Sequence, residues 1–443
     1  MKKSALLFLI PFLLLPSCGK EKPNPSFDGN YFRYPEPKYK VLNYGESIVI
    51  DFEKELFSDG TMSTIYEERI PVKEKYDSIG IAEFPGTTDA SFIQVKQLSP
   101  FKYRFTNRNT TEDCLKYGPR TYFYNKKSNT YGSAEMAFHL FFQPKEESIV
   151  KISNLKDFEK IRMRSSVRLC ADIDMTDYNK MKQQLIDTDG KGTFSGCFLN
   201  PDHHVIRNWT LDDDGSWHGG LFDSVICAVF DSLVFENISY QCLEKPKFDF
   251  GLISRTSEES HYQNIIIRNL NCEVLGGSIG SLIGSSYQDS YTGCDIESTI
   301  INHGKGTKLA SDHQVGGLAA KYSLIYDNYC YPWTEEKSFR EYFRKFRDNY
   351  PKEEACRLAE EEIDRYAYRY SIKNNRLKVH LKSPGYCAGG LFGTAPMIHY
   401  SDTNIVEGSI EGYRSGTYRG TSEWQWYYYE RTNSFVPDRD AGE

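Results

Sequence analysis

Five short segments decide the fold: His218-Gly-Gly-Leu-Phe-Asp, Asp249-Phe-Gly-Leu-Ile-Ser, Ile279-Gly-Ser-Leu-Ile-Gly, Val315-Gly-Gly-Leu-Ala-Ala and Ala388-Gly-Gly-Leu-Phe-Gly. Each carries a small residue, then leucine, at Leu221, Leu252, Leu282, Leu318 and Leu391. The intervals between these leucines are 31, 30, 36 and 73 residues. Self-similarity at about 30 residues is the signature of a repeat architecture, in which one unit cannot bury its apolar face alone. The long last interval has its own explanation. Phe339, Tyr342, Phe343, Phe346 and Tyr350 form one helical stripe, and Cys356, Ala359, Ile363 and Tyr370 form another after Pro351. Removing residues 334–370 as an inserted αα-hairpin shortens that interval to 36 residues, the length of the preceding one.

A second element trails the Gly-Leu core. Ser232-Leu-Val-Phe-Glu-Asn-Ile, Asn264-Ile-Ile-Ile-Arg-Asn-Leu, Cys294-Asp-Ile-Glu-Ser-Thr-Ile and Asn404-Ile-Val-Glu-Gly-Ser-Ile all have strand composition. Two or three short strands per coil predict a parallel β-helix over residues 148–420, and parallel connections are overwhelmingly right-handed. Asn154 is placed to cap a short helix presenting Leu155, Phe158 and Ile161, followed by a strand from Val167 to Ile173.

The stretch Phe194-Ser-Gly-Cys-Phe-Leu-Asn-Pro-Asp-His-His-Val-Ile-Arg-Asn-Trp-Thr-Leu resembles the opening of GLUG-type β-helix repeat domains, usually F-S-G-x-F-D-G-N-G-H-x-I-x-N-L, and Gly220-Leu221-Phe222 matches the next block. Leu199-Asn200-Pro201-Asp202 departs from the D-G-N-G turn, and later coils keep only the Gly-Leu core. The resemblance spans residues 152–412. It implies the β-helix fold and an adhesin-like or accessory role at a bacterial surface, and it brings no catalytic set with it.

Upstream, residues 31–147 read with period two. Ile48, Ile50 and Phe52 alternate, as do Phe101, Tyr103 and Phe105, then Met136, Phe138, Leu140 and Phe142, while Val49 and Phe141 break the pattern. Turn clusters between such runs predict an antiparallel β-sandwich, similar to the immunoglobulin-like modules of surface lipoproteins and suited to a spacer. The chain is therefore expected to be all-β apart from the hairpin.

The beginning of the chain carries an address. Lys2 and Lys3 precede an 11-residue apolar run from Ala5 to Leu15, too short to span a bilayer, and then Leu15-Pro16-Ser17-Cys18. This tetrapeptide resembles a lipobox, which implies removal of residues 1–17, diacylation of Cys18 and anchoring in the bacterial outer membrane, on the cell surface or its periplasmic face. Residues 18–30 then form a tether. Cleavage takes the net charge from −7 to −9, and no basic stripe exists to neutralise phosphates, so nucleic acid is not an expected partner.

Candidate chemistry is sparse. Asp212-Asp213-Asp214-Gly215 and Asp187-Thr188-Asp189-Gly190 read as turns; the twelfth position of a calcium loop starting at Asp187 would be Phe198. The cysteines lack metal-binding spacing and are expected mainly as buried thiols, with disulfides as the alternative in an exported chain. No metal, cofactor or catalytic set is read. The best ligand-binding candidates are Trp424, Trp426 and Tyr428 in the aromatic segment of residues 421–443, which serve equally as a cap over the last coil. The functional expectation is a non-enzymatic envelope protein whose ligand is a glycan or a surface protein. The alternative is a polysaccharide lyase or glycoside hydrolase using a groove of the β-helix.

Overall fold

The computed structural model describes residues 26–33, 38–52, 57–61, 76–82, 92–118, 120–134, 138–178, 192–212, 220–243, 249–304, 314–323, 349–351, 372–395, 403–416 and 419–422. Within them the chain is nearly all β, with a parallel solenoid of about five turns in its C-terminal part. Three walls run along it. The first stacks Ser166–Leu169, Cys197–Leu199, Val229–Asp231, His261–Gln263 and Ser290–Thr292. The second stacks Val205–Asp212, Val234–Cys242, Ile266–Val274, Asp295–Asn302, Arg376–Gly389 and Ile405–Gly416. The third stacks Thr193–Phe194, Phe222–Ile226, Ser254–Glu258, Ile283–Tyr287, Ala319–Ser323, Phe392–Ala395 and Arg419–Ser422.

The five leucines form one column. The Leu221 N–H donates to Leu252 O at 3.0 Å, the Ile253 N–H to Leu282 O at 2.9 Å, the Leu282 N–H to Leu318 O at 2.9 Å and the Leu318 N–H to Leu391 O at 2.8 Å. All five side chains are fully buried. The preceding glycine is explained by close approach: a Cβ at Gly220 would lie 1.8 Å from Leu252 O, and one at Gly317 would lie 2.0 Å from Gly390 O. Aromatic rings continue the stacking inside, with Phe230–Tyr262 centroids 5.3 Å apart and Tyr262–Tyr291 centroids 5.1 Å apart, nearly coplanar in orientation.

The corners repeat as faithfully as the walls. Cys227, Glu259 and Gln288 take positive φ where the chain passes from the third wall to the first. His203, Ser232, Asn264, Gly293 and Asn374 do so where it passes from the first to the second. A third column, Asn208, Asn237 and Asn269, lies within the second wall at φ of 59°, 55° and 61°. One left-handed residue there flips the alternation, so that Ile206 and Trp209 both point inward with two outward residues between them. Asn is among the side chains that tolerate this region, which gives the Ile-Arg-Asn-Trp, Phe-Glu-Asn-Ile and Ile-Arg-Asn-Leu stretches a common physical basis.

Asn154 caps as expected, in a capping box with Asp157, over a 3-10 helix, Leu155–Lys160. The anticipated strand from Val167 to Ile173 is split instead into Ser166–Leu169 and Ile173–Asp174, because the corner between walls falls inside it. The inserted segment enters after Ala319–Ser323 and returns at Ile372–Lys373, where the coil-to-coil step lengthens to 81 residues, as between Glu297 and Lys378. Of the expected hairpin, only residues 349–351 are described.

The N-terminal strands form three small sheets. One orders Phe57–Thr61, Ser26–Arg33, Thr130–Ala134, Arg120–Asn125 and Ser78–Ala82; another holds Ser47–Asp51, Lys102–Asn107 and Ile93–Ser99; the third holds Lys38–Leu42, Phe138–Phe142 and Leu115–Tyr117. Ile50, Phe52, Tyr103, Phe105, Leu140 and Phe142 share one core, as their period predicts, and Val49 is exposed. Pairing is not antiparallel throughout: Ser26–Arg33 with Thr130–Ala134, and Lys38–Leu42 with Phe138–Phe142, are parallel. Strands from opposite ends of the region meet there, joined by long crossovers instead of hairpins.

Replacing Leu252 by Ala should cost about 2–5 kcal/mol of stability through the cavity it leaves in the column. Val49→Ala should stay within about 0.5 kcal/mol. Urea unfolding followed by circular dichroism checks both, and equal effects would refute the stacked column.

Candidate functional site

Two places in the structure concentrate polar chemistry. The first is the junction between the N-terminal sheets and the first wall of the solenoid. Phe141, the residue that broke the period-two pattern, is fully buried there in a cluster with Cys114, Cys197 and Val229. Its strand is covered on both faces, which is why the alternation fails. Beside it the Tyr39 ring stacks on His261 with centroids 4.2 Å apart, and the Tyr39 hydroxyl donates to Gln263 Oε1. His139 Nδ1 lies 3.2 Å from His261 Nε2, and His261 Nδ1 lies 2.6 Å from Ser290 Oγ. Such a chain is satisfied with both rings neutral, since a neutral imidazole donates at one nitrogen and accepts at the other.

Burial, reinforced by the positive charge of Lys116, depresses both histidines; His261 falls from 6.5 to about 3, and His139 lies well below its ordinary value. Lys116 Nζ in turn reaches Glu259 Oε2 at 3.0 Å, and the Cys227 thiol donates to the same oxygen at 3.4 Å. Burial works against the charged forms of both partners, yet their mutual attraction wins. Lys116 is raised, Glu259 is lowered, and burial pushes the Cys227 thiol up to about 11. The junction thus holds a neutral histidine pair and an ion pair near pH 7. This junction holds two parts of the molecule together.

A fully buried acid lies inside the solenoid. Asp289 accepts the Ser260 N–H at 2.8 Å and the Ser286 hydroxyl at 2.6 Å, while burial raises it to about 7. The Tyr291 hydroxyl donates to Ser286 Oγ at 2.8 Å, so the acid anchors a polar seam between coils without access to solvent.

The second place is the outer surface of the second wall, which is open to solvent along its length. Its outward residues align in rows through the parallel register. One row reads Asp174, Arg207, Glu236, Arg268 and, after a register shift, Glu297, Lys378, Glu407. The signs alternate without exception. Neighbours pair, with Arg268–Glu236 at 3.0 Å, Lys378–Glu297 at 2.8 Å and Arg207–Asp174 at 3.6 Å. Exposed pairs of this kind contribute little to stability, but they set each charge of the row beside one of opposite sign.

Next to it runs an uncharged row: Thr210, Ser239, Asn271, Thr299, His380 and Ser409. Strand spacing of about 4.8 Å sets hydroxyl, amide and imidazole groups at regular intervals over roughly 24 Å. His380 Nδ1 and Ser409 Oγ lie 3.0 Å apart within it. Such a row can donate and accept hydrogen bonds along an extended, hydroxyl-rich ligand.

Cys18, Trp424, Trp426 and Tyr428 fall outside the described residues, as do Asp187, Asp189, Asp213 and Asp214. His203 occupies a left-handed corner, and His204 Nδ1 stands 3.5 Å from the Asp172 carboxylate. Among the described residues no cluster of three or more His, Cys, Asp or Glu side chains could hold a metal ion, and no helix is long and apolar enough to cross a membrane. The cysteines described are free thiols; Cys114, Cys197, Cys242, Cys272, Cys294 and Cys387 are buried, and Cys170 and Cys227 partly so. No protein family matches the chain, and neither does any curated protein or solved structure.

The histidine pair makes stability depend on pH. An unfolded histidine takes up a proton near pH 6.5, while His261 in the fold refuses it until about pH 3. The unfolded state therefore binds more protons across that window, and stability falls as pH drops, by up to about 1.4 kcal/mol per unit and per such histidine. His261→Gln should be less stable than the parent at about pH 7.5, with the gap narrowing towards about pH 4.5. Thermal unfolding of both proteins across this range checks it; Asp289 is common to both and cancels.

Proposed function

We propose that this protein is a non-enzymatic lipoprotein of the bacterial cell envelope that binds a glycan along the outer wall of its β-helix. Residues 1–17 act as a lipoprotein signal peptide, and diacylated Cys18 holds the mature chain in the outer membrane, at the cell surface. The solenoid is a right-handed, GLUG-type β-helix, in keeping with the hand that parallel connections overwhelmingly take. Residues 31–147 act as an immunoglobulin-like spacer, and residues 334–370 as an αα-hairpin inserted in one coil.

The single observation that carries the binding reading is the uncharged row from Thr210 to Ser409 beside a self-neutralised ionic row. Charges that alternate in sign and pair along a row attract cations and polyanions only weakly over a distance. What remains to recognise a ligand is short-range hydrogen bonding in a fixed, repeating geometry. A polymer with hydroxyl groups at regular intervals matches that chemistry better than a globular protein surface, which recognition favours through buried aromatic anchors. Trp424, Trp426 and Tyr428 are the aromatic side chains proposed to stack on sugar rings.

Binding of the full-length mature protein to a glycan array, run beside a reducing-sugar release assay, tests this reading. The triple variant Asn271→Ala, Thr299→Ala, His380→Ala should lose at least about tenfold in affinity, which is about 1.4 kcal/mol, with an unchanged unfolding temperature. Binding that survives in this variant, or release of sugar by the parent, would refute it. Trp424→Ala with Trp426→Ala should weaken binding without destabilising the fold; a lowered unfolding temperature with intact binding would make that segment a cap. Fatty-acid labelling of the chain in bacteria, lost in Cys18→Ala, tests the anchor separately.

A further inference from the structure

Two thiols bridge the junction between the N-terminal sheets and the solenoid. Cys114 follows Asp113, which forms an antiparallel bridge with Ser165, and its N–H donates to Arg164 O at 2.6 Å. Cys197 opens a strand of the first wall, and its N–H donates to Ser165 O at 3.2 Å. Consecutive carbonyls of one segment thus hold both backbones, from residues 83 apart in sequence, and bring the sulfurs to 2.9 Å. That is inside the contact distance of two sulfur atoms and about 0.9 Å longer than a disulfide bond. Phe141 and Val229 enclose the pair, and both cysteines are buried. Other thiols in the solenoid meet oxygen: Cys294 donates to Tyr262 O and Cys227 to Glu259 Oε2.

We infer that Cys114 and Cys197 are a disulfide-forming site that covalently joins the N-terminal sheets to the first wall of the solenoid when the chain folds outside the cytoplasm. The proposed export supplies the oxidising compartment; whether the two sulfurs can join depends only on the geometry. The oxidant is a disulfide donor of the dithiol–disulfide exchange class. One protein thiolate attacks the donor's disulfide, forming a mixed disulfide and releasing one donor thiol. The second protein thiolate then attacks the protein-bound sulfur, forming the Cys114–Cys197 bond and releasing the second donor thiol. The two protein sulfurs are oxidised and the donor is reduced, and the protons lost by the cysteines end on the donor thiols. In the finished fold burial and the adjacent thiol hold Cys197 well above its ordinary pKa, so thiolate is scarce and a donor cannot enter. The bond forms during folding, before Phe141 closes over the pair. With it in place, the junction can open neither by hinge motion nor by loss of the histidine and lysine contacts around it.

Refolding the full chain from denaturant with oxidised and reduced glutathione, and in parallel with excess reductant, followed by alkylation, proteolysis and mass spectrometry, tests the geometry. The oxidised sample should yield a linked peptide pair carrying Cys114 and Cys197, absent from the reduced sample. Its unfolding midpoint should be higher by about 5–10 °C, a gap that Cys114→Ser and Cys197→Ser each remove. Recovery of the two cysteines on separate alkylated peptides, or linked to other cysteines, overturns the inference without reference to any variant. The same mapping on protein isolated from bacterial envelopes should show the linked pair. Free thiols there, in a chain whose Cys18 carries fatty acid, would overturn the disulfide while leaving the export reading intact; absence of both label and link would instead overturn the export reading.

Discussion

Every coil of the solenoid depends on its neighbours for an interior. A coil of about 30 residues has too little apolar side-chain volume to shield itself, so Leu221, Leu252, Leu282, Leu318 and Leu391 are buried only because the next coil lies on each of them in register. Register is held by more than the ladders. Three columns of left-handed residues make successive coils turn or kink at the same place, and the internal asparagines tie coils across those turns. Asn375 donates to Tyr291 O and to Asn404 Oδ1, while Asn404 donates to Ile372 O. A one-residue slip would bring the outward charges in and strand these amides without partners, at a cost of several kcal/mol for each buried group.

The same logic explains why the N-terminal sheets are not a separate body loosely strung to the solenoid. The first wall presents Cys197, Val229 and His261 outward, and these are covered by Cys114, Phe141, His139 and Tyr39. Withdrawing a lysine, a glutamate and two imidazoles from water, even in part, is costly unless each finds a partner. Each does, and the pairing is specific: Lys116 with Glu259, His139 with His261, His261 with Ser290. An apolar junction could slide along the wall, since parallel coils repeat every few ångströms. A junction with this sequence of polar pairs fits one coil only.

The sequence pattern made some of this legible and hid the rest, for identifiable reasons. The Gly-Leu column was legible because it is local and repeats: a leucine that must point inward beside a backbone that must approach closely leaves few residue choices. The alternation around Ile50, Tyr103 and Leu140 was legible for the same reason, and Phe141 carried a true signal as its exception. The junction was not legible, because Lys116, His139 and Cys114 meet Glu259, His261 and Cys197 across long stretches of chain and no local period links them. The neutral row on the second wall was hidden too. Its members are Thr, Ser, Asn, Thr, His and Ser, chemically alike but not identical, and spaced by coils whose lengths differ. Parallel antiparallel choice among the N-terminal strands was equally invisible, since side-chain period is two in either case.

The contrast between the two polar regions bears on function. At the junction the charges of Lys116 and Glu259 are partly buried beside one another, and burial has moved the titrations of the histidines and of Cys227 away from neutrality. On the second wall the charges of the alternating row are exposed and stand beside opposite charges, so their fields fall off quickly in solvent. A surface of that kind gains little from a small charged ligand. It gains most from one long enough to engage several coils at once, because each contact is weak and the rigid wall has already met the ordering cost on the protein side. A long ligand also meets the wall at a fixed angle, provided the solenoid cannot swing on its base. On the proposed glycan-binding reading the junction is part of the binding device: a platform that reads an extended polymer must hold its orientation, and the polar lock between the N-terminal sheets and the first wall would hold it.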